Sequence, residues 1–355
     1  MTCYARLRPL AFRLPPELAH TLGKRLLRLG QSTWPTRKAL RSVYQYEDPA
    51  LELERFGTQF PNPVGVAAGF DKNAECTHAL EALGFGFVEI GTVTPYSQTG
   101  NEKPRLFRLQ EDEAMINRMG FNGDGMEAVK ERLLADSTPG VPLGVNIGKM
   151  NPSTEREAIE DYRRVFSRLS PFADYVVVNV SCPNTPDTFD ESSPEHLEAI
   201  FETIEAENDL EVPILVKIGP DSPDDSILEL VDIVESHGVD GLIATNTSTS
   251  REGLQAPERD EWGGMSGAPL REQSTHVIEL LASNTDLPII GVGGIDSAET
   301  AYEKIRAGAS LVQLYTGFVY NGPSTAREIN KGLVELLERD GFASIEAAIG
   351  ADLEE

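Results

Sequence analysis

Between residues 60 and 315 the chain alternates short runs dense in Val, Ile, Leu and Phe with longer stretches whose apolar positions recur every three or four residues. The short runs are Val64 to Ala68, Phe87 to Ile90, Leu143 to Ile147, Tyr175 to Val180, Ile214 to Ile218, Gly241 to Thr245, Pro288 to Val292 and Leu311 to Leu314. Helical periodicity occupies the intervals near 74–83, 153–168, 194–206, 223–236, 271–283, 297–306 and 323–339. Runs that are apolar throughout, not at every second position, belong to strands buried on both faces, as in a parallel sheet. Eight such strands alternating with helices predict a (β/α)₈ barrel over an open doubly wound sheet, with the active site at the strands' C-terminal ends. The long interval between the second and third runs carries an excursion, and no period of 20 to 50 residues marks a solenoid. After Arg339 the chain turns acidic and Ala-rich, which predicts a solvated tail.

The first forty residues follow a different pattern. Leu7, Leu10, Ala11 and Leu14 fall on one helical face, and Leu18, Leu22, Leu26 and Leu29 continue a stripe after Pro15-Pro16, so two short amphipathic helices are predicted. Residues 1–41 hold nine Lys/Arg against one acid, Glu17, a charge of +8 in a chain of net −26; the remainder therefore carries −34. Basic amphipathic helices commonly lie in the headgroup plane of an anionic membrane, but such a pair also packs on its own domain, and this segment alone leaves both readings open. The expected organisation is 1–42 as amphipathic helices, 43–340 as barrel and 341–355 as acidic tail.

A charge of −26 on 355 residues makes general nucleic-acid binding a poor expectation, because phosphate meets repulsion over most of the surface. It suits a salt-rich cytoplasm, where repulsion is screened within a few ångströms, or an acidic enzyme of an ordinary one. Cys3, Cys76 and Cys182 are an odd number without C-x-x-C spacing, and the five histidines form no H-E-x-x-H, so neither a disulfide framework nor a metal site is expected. No apolar run approaches the ~20 residues that span a bilayer, and no signal-peptide core is evident, so the protein is expected inside the cell.

Polar residues gather after every predicted strand. The sequence places Gly69-Phe70-Asp71-Lys72-Asn73 after the first and Gly91-Thr92-Val93-Thr94 after the second. Asn146 lies within the third, and Asn179-Val180-Ser181-Cys182-Pro183-Asn184 follows the fourth. Lys217 ends the fifth, Thr245-Asn246-Thr247 the sixth, Gly291-Val292-Gly293-Gly294 the seventh and Tyr315-Thr316-Gly317 the eighth. Gly, Asn and Thr are ordinary turn formers, but eight occurrences in eight point to a site. The glycines after the seventh and eighth strands match the position of a barrel phosphate site, so a phosphorylated ligand is expected. Converging asparagines offer paired donors and acceptors suited to a flat, amide-rich ring. Lys72 and Lys217 suit anionic charge on a ring or carboxylate, or a Schiff base.

Ala67 to Lys72, Gly91 to Pro95, Lys103 to Arg108, Asn117 to Asn122, Asn179 to Pro186, Ala244 to Thr247, Gly264 to Gly267 and Ile290 to Ile295 together resemble the dihydroorotate dehydrogenase family, in the family's order, from near residue 10 to about 338. The N-terminal helices, with Pro16-Glu17-Leu18-Ala19-His20, resemble the extension of its quinone-dependent, membrane-associated branch. That resemblance implies peripheral association with the cytoplasmic side of the cell membrane and oxidation of dihydroorotate to orotate in pyrimidine biosynthesis, with a membrane quinone as acceptor. It implies FMN held by Ala68, Gly69, Phe70, Asp71, Lys72, Thr92, Asn146, Asn179, Lys217, Thr245, Gly267, Gly294, Tyr315 and Thr316. Dihydroorotate would contact Lys72, Asn117, Arg118, Met119, Gly120, Phe121, Asn179, Asn184, Asn246 and Thr247, and His20 and Arg108 match positions near the quinone channel. In the family a base takes a proton from C5 of the substrate while hydride passes from C6 to flavin N5.

At the base position the quinone-dependent branch usually has serine in Asn-x-Ser-Ser-Pro-Asn, whereas this chain has Cys182, which resembles the cytosolic branches. Ser181 lies one residue earlier, and in an extended segment its side chain points the other way, so Cys182 is the expected base. Asp187-Thr188-Phe189 also depart from the family's Gly-Leu-Arg. Three other readings are a cytosolic dihydroorotate dehydrogenase, supported by Cys182 and opposed by the basic helices; a Schiff-base lyase using Lys72 or Lys217; and a barrel that only binds a nucleotide.

Overall fold

The computed structural model describes residues 3–136, 138–181 and 193–353. Eight parallel strands close into a barrel: β1 (Val64–Asp71), β2 (Phe87–Val93), β3 (Leu143–Ile147), β4 (Tyr175–Asn179), β5 (Ile214–Ile218), β6 (Gly241–Ala244), β7 (Ile289–Val292) and β8 (Leu311–Leu314). β8 pairs back to β1 through Val312 opposite Val64, and helices fill the connections as the periodicity predicts. The fold is a (β/α)₈ barrel.

Side chains alternate along each strand, so positions two apart share the interior. The lowest interior layer is aromatic. A Cβ at Gly65 would strike the Phe87 ring and one at Gly144 the Tyr175 ring, so these glycines are where the bulky rings cross the barrel. An antiparallel hairpin, Leu53–Arg55 with Thr58–Phe60, closes this end, its Phe60 ring 5.3 Å from Phe87. Two residues further along the same strands the interior turns polar, with Glu89 and Asn146 fully buried.

The excursion after β2 is a three-stranded antiparallel sheet. Leu106–Leu109 pairs with Ala114–Asn117, which pairs with Gly264–Gly267 from the loop after β6. This sheet stands over the C-terminal mouth of the barrel.

Three N-terminal helices are present where two were expected: α1 (Cys3–Ala11), α2 (Pro16–Gln31) and α3 (Trp34–Tyr44). Thr33 caps the third, its hydroxyl accepting from Thr36 N, with Pro35 in the first turn. The expectation of a solvated tail is also corrected. Residues Ile345–Ala348 form a helical turn with Ile345 and Ala348 fully buried, Gly350 N donates to Ile305 O, and Asp352 pairs with Arg306. Among the described residues no helix is long and apolar enough to cross a membrane.

Candidate active site

The strand ends, the small sheet and α2 enclose one chamber of about 530 Å³. Its size is that of a pocket for a cofactor with a small substrate. At one end Gly293 and Gly294 take φ +126° and +70°, conformations that glycine adopts without penalty. A Cβ at Gly294 would run into the Arg271 backbone, and one at Gly317 into the Ile295 carbonyl. Backbone N–H groups are thereby left open to a ligand. Ser266 Oγ and Thr316 Oγ1 meet at 2.8 Å beside this cradle, and Gly267 (φ +108°) approaches Glu113 O too closely for any side chain.

The middle of the chamber carries amides and two lysines. Lys72 donates to Asn122 Oδ1 at 2.6 Å, and Lys217 is buried in the opposite wall. Asn179 Nδ2 donates to Thr92 Oγ1 at 2.9 Å, while Asn246 Nδ2 reaches Asn179 Oδ1 at 3.3 Å. Thr247 Oγ1 is buried without a hydrogen-bond partner among the described residues, although it lines the chamber, so its donor is open to a ligand.

Most of the sequence-predicted residues come together here. Ala68, Gly69, Phe70, Lys72, Thr92, Asn117, Met119, Gly120, Phe121, Asn179, Lys217, Asn246, Thr247, Thr245, Gly267, Gly294, Tyr315, Thr316 and His20 all line the chamber. Four do not. Asp71 is fully buried behind the wall, where its carboxylate accepts from Glu75 N and Cys76 N. Asn146 lies one layer below, accepting from Thr92 Oγ1 at 2.6 Å. Arg118 is turned away, donating to Pro104 O and Trp262 O, pairing with Glu261 and stacking on Phe107 and Trp262. Arg108 sits under α1, donating to Leu14 O with its guanidinium 4.5 Å from the Phe12 ring. Cys182 and Asn184 lie outside the described residues.

Of α2, sequence reasoning found only His20. Glu17, Thr21, Lys24 and Arg28 recur on one helical face and line the chamber together with Arg25. The recurrence was visible beside the leucine stripe, but nothing in the sequence says which face turns inward. The structure turns the polar face in. Glu17 accepts from Arg105 at 2.8 Å, and Lys24 approaches Asp71 at 3.5 Å while also pairing with Glu75. Burial acts to lower the Lys24 pKa, but Asp71 and Glu75 outweigh it and the net direction is upward. His20 stacks near Tyr315, with centroids 6.2 Å apart, and lies edge-on to Phe70. Burial, with Lys24 and Lys72 nearby, brings its pKa down to about 4, so the imidazole is neutral at physiological pH.

A closed (β/α)₈ barrel whose strand-end chamber joins a glycine cradle to an asparagine and lysine ring has the architecture of a barrel enzyme. Comparison with known proteins narrows the class. The profile described as dihydroorotate dehydrogenase matches residues 50–337, and the chain belongs to the dihydroorotate dehydrogenase family. It is 52% identical over 354 residues to the protein named dihydroorotate dehydrogenase (quinone) of Natronomonas pharaonis, covering 99% of this chain and all of the relative. The protein of the same name from Halobacterium salinarum is 50% identical over 351 residues, with 99% and 100% coverage. Among solved structures, the dihydroorotate dehydrogenase of Eimeria tenella in complex with ferulenol superposes with a TM-score of 0.88 at 37% identity, covering 95% of each chain.

Proposed function

We propose that this chain oxidises dihydroorotate to orotate in pyrimidine biosynthesis, with FMN as cofactor and a membrane quinone as acceptor. The observation that carries the reading is a single chamber in which the glycine cradle, the asparagine ring and the inward face of α2 adjoin. The cradle fits FMN: Gly294 and Gly317 leave no room for side chains where a phosphate would meet backbone N–H groups, and Thr316 stands beside them. When bound, FMN supplies the hydride acceptor and the electron store between the two half-reactions.

The chain's own residues do the rest. Lys72 and Lys217 place positive charge on two sides of the chamber, which favours the substrate carboxylate and an electron-rich ring. Asn179, Asn246 and Thr247 offer donors and acceptors to the pyrimidine amides. Phe121 and the small sheet exclude water from the reacting face. Cys182, in the motif after β4, is the proposed general base for the C5 proton. Ser181 does not compete for that role, because its hydroxyl donates to Lys217 O at 2.7 Å and is turned into the barrel wall.

The acceptor side is assigned to α2. Leu18, Leu22, Leu26 and Leu29 face outward, the last two 69% and 67% exposed, while Leu27 packs on the core and the polar face walls the chamber. An apolar stripe on the solvent side of a basic helix supports peripheral attachment to an anionic membrane, with quinone entering past neutral His20.

The test is anaerobic reduction of purified flavoprotein by dihydroorotate, followed by separate addition of a soluble quinone, fumarate and NAD. Bleaching reversed only by quinone is expected. Recovery with fumarate or NAD would move the protein to a cytosolic branch, and absence of bleaching would overturn the assignment.

A further inference from the structure

Below the chamber floor, one layer above the aromatic base of the barrel, stands a carboxylate fully removed from water. Glu89, on β2, accepts from Asn146 Nδ2 at 2.9 Å and from Gln313 Nε2 at 2.6 Å. Barrel interiors are ordinarily filled at this height by branched apolar side chains, and burying a carboxylate there is costly. What the acid does is legible in the hydrogen bonds above it.

A carboxylate only accepts, so both amides must turn their NH₂ groups toward Glu89. The Oδ1 of Asn146 then faces the chamber and accepts the Thr92 hydroxyl proton at 2.6 Å. With that proton committed, Thr92 Oγ1 is an acceptor toward Asn179 Nδ2 at 2.9 Å. Asn179 Oδ1 in turn faces Asn246 Nδ2 at 3.3 Å, and Asn246 is held from the far side by main chain, its Nδ2 donating to Ser181 O at 3.0 Å and its Oδ1 accepting from Thr247 N at 2.8 Å. Each amide alone is nearly symmetric in shape, so packing does not choose which end carries oxygen. A chain of amides and hydroxyls takes its direction from members of fixed polarity, here the main chain at the Asn246 end and Glu89 at the Asn146 end.

We propose that Glu89 is the floor-side anchor: a positioning residue that fixes the donor and acceptor direction of Asn146 and Thr92 beneath the asparagine wall, opposite the main-chain anchor at Asn246, and so helps select the edge that a planar amide-containing ring presents to the chamber. The inference rests on the flavin and dihydroorotate reading above. Glu89 touches neither ligand. It acts through Asn146 and Thr92.

The experiment is a double-mutant cycle read by orotate binding, which perturbs the visible flavin spectrum and requires no turnover. Wild type must first hold flavin that dihydroorotate bleaches; a wild-type protein without flavin overturns the functional reading and this inference with it. Glu89→Met, which keeps the volume and removes the acceptor, is expected to weaken orotate binding by about tenfold and to raise KM more than it lowers kcat. Glu89→Gln keeps one acceptor for Asn146 while Gln313 turns over, so it stays within about threefold of wild type. In a Thr92→Val background, where the link is already cut, Glu89→Met costs less than about threefold more. An unchanged orotate affinity in Glu89→Met overturns the proposal, and so does an equal loss in both backgrounds, which is the mark of a merely structural residue. If Glu89→Met shows no cooperative melting transition, Glu89→Ser is read in the same cycle, because water admitted there donates as readily as it accepts and imposes no direction.

Discussion

Cys182 is the proposed base where the resemblance to the quinone-using branch leads one to expect serine, and a thiol changes the pH at which a base works. A free thiol titrates near ~8.5, far below a serine hydroxyl, so less help from its surroundings is needed near neutrality. Cys182→Ser should move the acid limb of the kcat profile upward by about one unit or more and lower the rate at pH 7 by about tenfold. Superimposable profiles would remove Cys182 from the role. Behind the glycine cradle, Lys304 is fully buried and donates to Arg271 O at 2.6 Å and Thr275 Oγ1 at 2.5 Å. Burial brings its pKa down to about 7. From pH 7 toward its ordinary value the unfolded chain holds a proton that the folded chain lacks, so stability must rise with pH in that window. Urea unfolding should show a gain on the order of 2 kcal/mol between pH 7 and 9 that Lys304→Met abolishes; equal slopes for both proteins would show that the lysine is not held neutral. At this scale the motif residues were legible as a group, but their orientations were not. Arg118 lies among chamber residues in sequence yet stacks outward on Trp262, and Glu89 is a lone acid in an apolar run that periodicity has no means to weigh.

The barrel strands were readable because both of their faces are buried, which writes each as a continuous apolar run. Elements with fewer buried positions were not. α3 has no fully buried residue, so its signal is confined to the Thr33 cap and Pro35, and the C-terminal turn is anchored by only two residues, Ile345 and Ala348. α2 was recognisable as an amphipathic helix but not as one turned inside out. The ion pairs from Glu17 to Arg105 and from Lys24 to Asp71 hold its polar face against the barrel, which leaves Leu18, Leu22, Leu26 and Leu29 outward. Leu26→Glu/Leu29→Glu should therefore leave the melting temperature within about 2 °C of wild type, since surface changes of this kind cost little. Sedimentation with vesicles containing anionic lipid should fall by about tenfold or more, because two apolar contacts are lost and two like charges gained. Undiminished sedimentation would show that this face does not meet the bilayer.

Across the whole molecule, positive charge is concentrated in the N-terminal segment and the barrel carries the excess of acid, a net of −26 overall. Close relatives occur in salt-loving organisms such as Halobacterium salinarum. Self-repulsion among that many acids weakens the compact state when salt does not screen it, since the screening length shrinks from about 10 Å at 0.1 M to about 3 Å at 1 M. The midpoint of thermal unfolding should accordingly climb by about 10 °C or more between 0.1 M and 2 M KCl. A midpoint independent of salt would make the acidity incidental to stability. The placement of α1 bears on how the protein is made. Tyr4 and Arg8 donate to Val319 O and Tyr320 O, and Phe12 meets the Tyr320 ring, so the first helix docks on residues near the end of the chain. A ribosome delivers α1 some three hundred residues before its berth exists. Until translation is nearly finished, Tyr4, Arg8 and Phe12 lack the residues they pack against.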